Sequence, residues 1–207
     1  MKIYLVRHGE TVGNKEGYHQ TAETPLSEYG VTQTKKVADR LKGKGVDLIY
    51  SSTHDRAIKT AEFISNAISV PIEPWGSLKE IKRPNEIVGK SVNDPAVKEI
   101  ENLILSNFGK TNWKYSDEEN FEDLNTRATL VLDHLLEKHS DQTVLCVSHG
   151  TFIKVLVAKA LFGKNLTPDI LSTLRFGLRI ENTGISILKY TQEYGWGLAS
   201  WNDTNHL

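Results

Sequence analysis

A three-layer α/β fold, with a mostly parallel central sheet, helices on both faces and a late antiparallel strand, follows from three observations. Short apolar runs alternate along the chain with segments whose apolar residues recur at helical spacing. The runs show no clean polar alternation, so both of their faces are expected to be covered, as in a parallel sheet. Near the C-terminus the pattern changes to two apolar runs separated by a short Asn/Gly turn, which predicts an antiparallel hairpin.

Ile3 to Val6 predicts the first buried strand, and a long polar loop follows it. Val37, Ala38 and Leu41 recur at helical spacing, which predicts a helix from about Thr32 to the stop at Gly43 and Gly45. Val46 to Tyr50 reads as the second strand. Ser51, Ser52 and Thr53 offer capping oxygens for a helix that carries Ala57, Ile58, Ala61, Ile64 and Ile68. Val70 and Ile72, interrupted by Pro71, predict a short edge strand. From Trp75 to Asn120 the pattern loosens around one helix, Pro95 to Phe108, where Ile100, Leu103 and Ile104 share a face. A long helix is expected from Phe121 to His139, a buried strand from Thr143 to Val147, and a helix from Gly150 to about Gly163. Leu178 to Ile180 and Ile185 to Tyr190, joined across Asn182 to Gly184, form the predicted hairpin.

The 207 residues suffice for one domain with a sizeable core. No repeat, low-complexity tract or linker divides them, so a single domain, 1–207, is expected. The 25 basic and 26 acidic residues give a formal net charge of -1, so no overall field favours nucleic acid or an anionic membrane, and any anion site must be local. The single cysteine, Cys146, lies in an apolar run and reads as a core residue of a protein in a reducing compartment. No apolar stretch approaches the roughly 20 residues needed to span a bilayer, and the N-terminal run is too short and too soon charged for a secretion signal. A cytoplasmic protein is expected. Its oligomeric state stays open, because an apolar helix face reads alike whether it packs inside or against a partner.

Two predicted strands end in histidine. In a parallel sheet the carboxyl ends of the strands form the rim where ligands bind. Arg7 and His8 lie at one such end and Ser148 and His149 at another, while the second strand delivers Ser51 and Ser52, with Arg56 in the next helical turn. The helix beginning at Gly150 would add backbone N–H groups. So many donors and charges call for an anion with several oxygens, and the fork of arginine matches phosphate. Beside two arginines the cationic form of His8 is disfavoured, which leaves a neutral ring nitrogen able to attack phosphorus. His149 can donate to a phosphoryl oxygen. The departing alkoxide needs an acid, for which Glu80, in SLKEIKRPNE, is the candidate, with Glu10 and Glu86 as rivals.

Arg7-His8-Gly9-Glu10-Thr11 followed by Asn14 is similar to the signature of the histidine phosphatase superfamily, which includes the cofactor-dependent phosphoglycerate mutases. Pro25-Leu26-Ser27-Glu28-Tyr29-Gly30, Ser51-Ser52 with Arg56 and Thr60-Ala61, the Glu80 loop, Ser148-His149-Gly150, and Asn202-Asp203 with His206-Leu207 fall in the family's order. The resemblance covers nearly the whole chain. It implies a phosphoglycerate mutase-like fold, a nucleophile at His8, a phosphate pocket of Arg7, Asn14, Arg56 and His149, and a proton donor at Glu80. It also implies that residues 75–120 fold over the active site. The chain resembles the short phosphatase branch, since the mutases are longer and carry an inserted segment that encloses the phosphoglycerate. Tyr18-His19-Gln20 stands where such phosphatases often have an Arg-Gln-Gly-like segment. Lys82 and Arg83 beside Glu80 offer a second basic patch for an acidic or doubly phosphorylated substrate, or, for Lys82, simply a solvated loop.

Thr11 either joins the phosphate pocket or caps a turn, and Asn14 either binds or shapes its loop. Gly150 counts as a binding residue through its backbone. His19, His54, His134 and His139 lack ligand-like spacing, so they read as surface histidines and no metal site is expected. His206 would hold the C-terminal tail against the sheet. Ser148 is no nucleophile elbow, because Cys146 replaces the first glycine of that motif. Gly89-Lys90-Ser91 and Gly109-Lys110-Thr111 lack the upstream glycine of a nucleotide loop, so no cofactor is expected. Trp113, Tyr115 and Phe121 either line a pocket over the site or pack against the core. The leading function is a metal-independent phosphomonoesterase acting on a small phosphorylated metabolite. A phosphoglycerate mutase, a protein phosphohistidine phosphatase and a non-catalytic regulator are the alternatives.

Overall fold

The computed structural model describes residues 1–207. Six strands form one sheet: β1 (Lys2–Arg7), β2 (Leu48–Ser51), β3 (Ile72–Pro74), β4 (Thr143–Ser148), β5 (Ile185–Thr191) and β6 (Gly195–Asp203), in the order β3-β2-β4-β1-β5-β6. The first four strands run parallel, β5 is antiparallel to β1, and β6 is antiparallel to β5. This is the predicted three-layer arrangement, with both sheet faces covered.

The apolar runs serve both faces at once because successive side chains of a strand alternate sides. Ile3, Leu5, Val144 and Cys146 join one buried cluster with Leu124, Leu135, Phe152 and Leu156, which come from helices α5 (Phe121–His139) and α6 (Gly150–Phe162). Tyr4, Val6, Leu145 and Val147 join the other with Val37, Leu41, Ala57 and Ile64, from α2 (Glu28–Leu41) and α3 (Asp55–Ile68). Cys146 is fully buried, and burial pushes its thiol up to about 12. Three helices complete the set: α1 (Val12–Glu16), α4 (Pro95–Asn107) and α7 (Pro168–Gly177). None of the helices is long and apolar enough to cross a membrane.

Three expectations need correction. Helix α2 begins at Glu28 rather than near Thr32, because the Ser27 hydroxyl caps it by accepting the N–H of Gly30 at 2.9 Å. The loop after β1 is not wholly irregular, since Thr11 and Asn14 form a reciprocal capping box for the short α1. Leu178 to Ile180 is not a strand: the hairpin pairs β5 with β6 across a turn ending at Gly195, whose φ of 69° suits glycine. Helix α7 also lay outside the sequence reading.

Register fixes what the rim brings together. Arg7 pairs with Ser148 across β1 and β4, and Ser51 pairs with Val147 across β2 and β4. The residues that follow, His8 and His149, therefore leave β1 and β4 at one level, with Ser52 on the adjacent β2 one residue behind them.

Candidate active site

His8 is 3% exposed and His149 is fully buried, and their ring centroids lie 5.1 Å apart. The Nδ1 of His8 sits 2.7 Å from the carbonyl oxygen of Gly9. A carbonyl only accepts, so Nδ1 carries the proton and the lone pair of the neutral ring is on Nε2. Burial, and then the charges of Arg56 and Arg7, hold the His8 pKa well below its usual value. The ring is thus neutral with its nucleophilic nitrogen free. The backbone behind it is clamped: Asn182 Nδ2 donates to the His8 carbonyl at 3.0 Å, the Thr183 N–H donates to the Arg7 carbonyl at 3.0 Å, and the Gly9 N–H donates to Thr60 on α3 at 3.1 Å. The Asn182–Gly184 turn, read from sequence as a hairpin, is this clamp.

His149 Nε2 lies 2.8 Å from the Ser52 hydroxyl oxygen, which already accepts the N–H of His54 at 3.3 Å. When the hydroxyl hydrogen is directed to Nε2, the proton of His149 stands on Nδ1, and that atom is buried without a partner. Arg7 donates from Nη1 to the Ile180 carbonyl at 2.7 Å, and Arg56 donates from Nη1 to the Thr21 carbonyl at 2.8 Å. The Nε of each is also buried without a partner. Burial lowers the Arg56 guanidinium to about 10, against the favourable charge of Glu80. Three buried, unpartnered donors thus surround a neutral histidine, and an unsatisfied buried donor costs roughly 1–3 kcal/mol each. An oxyanion fits this donor set.

Arg7, His8, Asn14, His54, Arg56 and Glu80 open onto a cleft of about 640 Å³, whereas His149 is fully buried against His8 and does not itself line it. Within it, Asn14 uses Oδ1 to accept from Asn182 at 3.3 Å. Glu80 lines the cleft, and its rivals do not. Glu10 accepts from the Ser27 hydroxyl at 2.7 Å, Glu86 accepts from Ser116 at 3.0 Å, and neither lines the cleft. The Glu80 loop is pinned by Ser148, whose hydroxyl donates to the Leu78 carbonyl at 2.7 Å, and by Arg127, which donates to the Ser77 and Lys79 carbonyls.

Several expected roles are not what the structure shows. The N–H groups of Thr151 and Phe152 in the first turn of α6 do not face the cleft anion site, because they donate to the Glu80 carboxylate at 3.1 and 2.9 Å. Gly150 instead gives room: a Cβ there would meet Arg7 Nε at 3.3 Å. Thr11 is fully buried in its capping box and outside the cleft lining. Arg83 and Lys82 line the cleft but pair with Glu101 at 3.0 Å and Asp117 at 2.9 Å, so the second basic patch is neutralised. Trp113 faces a separate small cavity, Phe121 packs edge-on against Phe108, and none of Trp113, Tyr115 and Phe121 lines the cleft. His19 and His54 are not surface histidines, since both line the cleft. His134 and His139 meet on the Tyr50 hydroxyl at 3.3 and 3.0 Å. His206 does tie the tail, lying 3.0 Å from the Thr183 hydroxyl.

The profile of the histidine phosphatase superfamily (branch 1) matches residues 3–204. The chain belongs to this superfamily. A probable phosphoglycerate mutase GpmB of Citrobacter koseri is 30% identical to this histidine phosphatase over 214 residues, spanning all of this chain and 95% of that protein. Among solved structures, a phosphoserine phosphatase of Entamoeba histolytica in complex with phosphoserine superposes with a TM-score of 0.82 at 26% identity, covering 100% of this chain and 98% of the other. YhfR of Bacillus stearothermophilus superposes with a TM-score of 0.83 at 26% identity, over 99% and 98% of the two chains. The residues of this histidine phosphatase that sequence reasoning missed, His54 and Asn182 foremost, owe their place to tertiary neighbours. For His54 the one sequence signal was its position between Ser52 and Arg56.

Proposed function

We propose that this histidine phosphatase hydrolyses small phosphate monoesters through a phosphohistidine formed on His8 Nε2. The unpartnered donors Arg7 Nε, Arg56 Nε and His149 Nδ1 around the neutral His8 ring carry this reading. A phosphoryl group seated there meets two guanidinium charges and an imidazole N–H that need no reorganisation as charge spreads over its oxygens. His8 Nε2 attacks phosphorus in line while the ester P–O bond breaks, and Glu80 gives a proton to the departing oxygen. The positive charge that develops on the His8 ring is met by the Gly9 carbonyl at Nδ1. In the second half-reaction the Glu80 carboxylate takes a proton from water, the water oxygen attacks phosphorus, and the P–N bond breaks to return neutral His8 and inorganic phosphate.

Hydrolysis is favoured over mutase action by the state of the distal cations. A mutase must hold a doubly phosphorylated intermediate while it reorients, and Lys82, Arg83 and Arg127 each already face a carboxylate within 3.0 Å. The GpmB relative supports the mutase as a second reading. A coupled isomerisation assay with a bisphosphoglycerate primer separates the two. The primary test is p-nitrophenyl phosphate hydrolysis by His8→Ala in the presence of a chelator: activity is expected to vanish in the variant and to persist in the wild type. Full activity in the variant overturns the proposal.

A further inference from the structure

We propose that His54 is a positioning residue that holds the Arg56 guanidinium in its phosphate-binding orientation, acting as a neutral hydrogen-bond acceptor. This rests on the phosphate pocket described above. His54 occupies the N-cap of α3, yet its side chain makes no capping bond. A serine or aspartate at that position would take a first-turn N–H. The imidazole turns away and packs edge-on against His149, with ring centroids 4.9 Å apart at an interplanar angle of 65°. Its Nδ1 lies 3.2 Å from Arg56 Nη2. A guanidinium can only donate, so Nδ1 must be the unprotonated nitrogen. Arg56 is then gripped at both terminal nitrogens, by His54 on one side and the Thr21 carbonyl on the other, which fixes the plane in which its unpartnered Nε and the second hydrogen of each terminal nitrogen are presented to an anion.

The charge around His54 keeps it an acceptor. It is faced by Arg56 from α3, Lys79 and Glu80 from the loop before α4, Glu23 from the loop after α1, and the neutral rings of His8 and His149. Burial first, then Arg56 and Lys79, lower its pKa to about 4, against the pull of Glu80 and Glu23. Protonation at Nδ1 would set two donors and two positive charges against each other and release one of the two grips on Arg56.

The test compares His54→Asn, His54→Phe and Arg56→Ala with wild type, reading the affinity of orthovanadate by calorimetry and kcat and KM with p-nitrophenyl phosphate. Asparagine can place an acceptor oxygen where Nδ1 stands, whereas phenylalanine keeps the ring without the acceptor. His54→Phe is expected to weaken vanadate by about 10- to 100-fold, the loss of one hydrogen bond to a charged group, and to raise KM more than it lowers kcat. His54→Asn should stay within a few-fold of wild type. In the Arg56→Ala background, His54→Phe should have no further effect. Equal affinities for His54→Phe and wild type overturn the proposal, as does an undiminished loss in the Arg56→Ala background. Wild type that binds no vanadate contradicts the phosphate pocket itself. Circular dichroism identifies a variant that fails to fold, and His54→Gln, which lacks an acceptor at the Nδ1 position, then replaces His54→Phe with the same expected loss.

Discussion

Glu80 is the residue whose assignment is most open to measurement, because an acid matters only as much as the leaving group needs it. Replacing it by alanine should slow alkyl phosphates by about 10²- to 10⁴-fold. p-Nitrophenyl phosphate, whose phenolate leaves without a proton, should lose much less in the phosphorylation step. Comparing kcat/KM for the two substrates checks this, and an equal loss for both argues for a purely structural Glu80. At this scale Arg7, His8, Arg56 and His149 were legible in the sequence, since each ends a strand or opens the following helix. His54 was not, because its meaning depends on Arg56, the Thr21 carbonyl and His149 converging from three parts of the chain. The Lys82–Arg83 patch misled for the converse reason: the carboxylates that neutralise it, Asp117 and Glu101, stand well downstream.

Between elements, the decisive feature is how closely the loop after β1 approaches the start of α2. The Ser27 N–H and hydroxyl bind the Glu10 carbonyl and carboxylate at 2.9 and 2.7 Å, and a Cβ on Gly30 would lie 1.9 Å from the Glu10 carbonyl oxygen. Backbone cannot yield as a flexible side chain does. Gly30→Ala should therefore destabilise the fold by about 3 kcal/mol, at the upper end of ordinary overpacking, and displace the His8 loop with it. Urea unfolding reads the first effect and KM the second; an unchanged unfolding midpoint contradicts the close approach. The parallel strands were legible as elements because burial on both faces makes them continuous apolar runs. The hairpin was misplaced because Asn182-Thr183-Gly184 has the composition of a turn, while β6, with its exposures mixed along Gly195–Asp203, shows no clean alternation.

For the molecule as a whole, the site places a load on stability that depends on pH. His8 and His149 are neutral and buried in the folded protein, their pKa values lowered first by burial and then by the surrounding cations and histidines. In the unfolded chain both take up protons below about pH 6.5. The unfolded state thus binds more protons there, so stability is full above that pH and falls below it, by about 1.4 kcal/mol per pH unit for each histidine. Urea midpoints should drop steeply as pH is lowered from about 7 to about 5, and less so in His8→Ala. A flat profile contradicts the neutral histidine pair. Register completes the picture, since the Arg7–Ser148 and Ser51–Val147 pairings bring the phosphate donors to one rim. The most direct measurement of that chemistry is an alkali-quenched pre-steady-state reaction with excess substrate, followed by peptide mass spectrometry. One added phosphoryl group on His8, absent from His149 and lost on incubation with water, is the expected result; turnover with no phosphoryl group ever found on His8 contradicts the account.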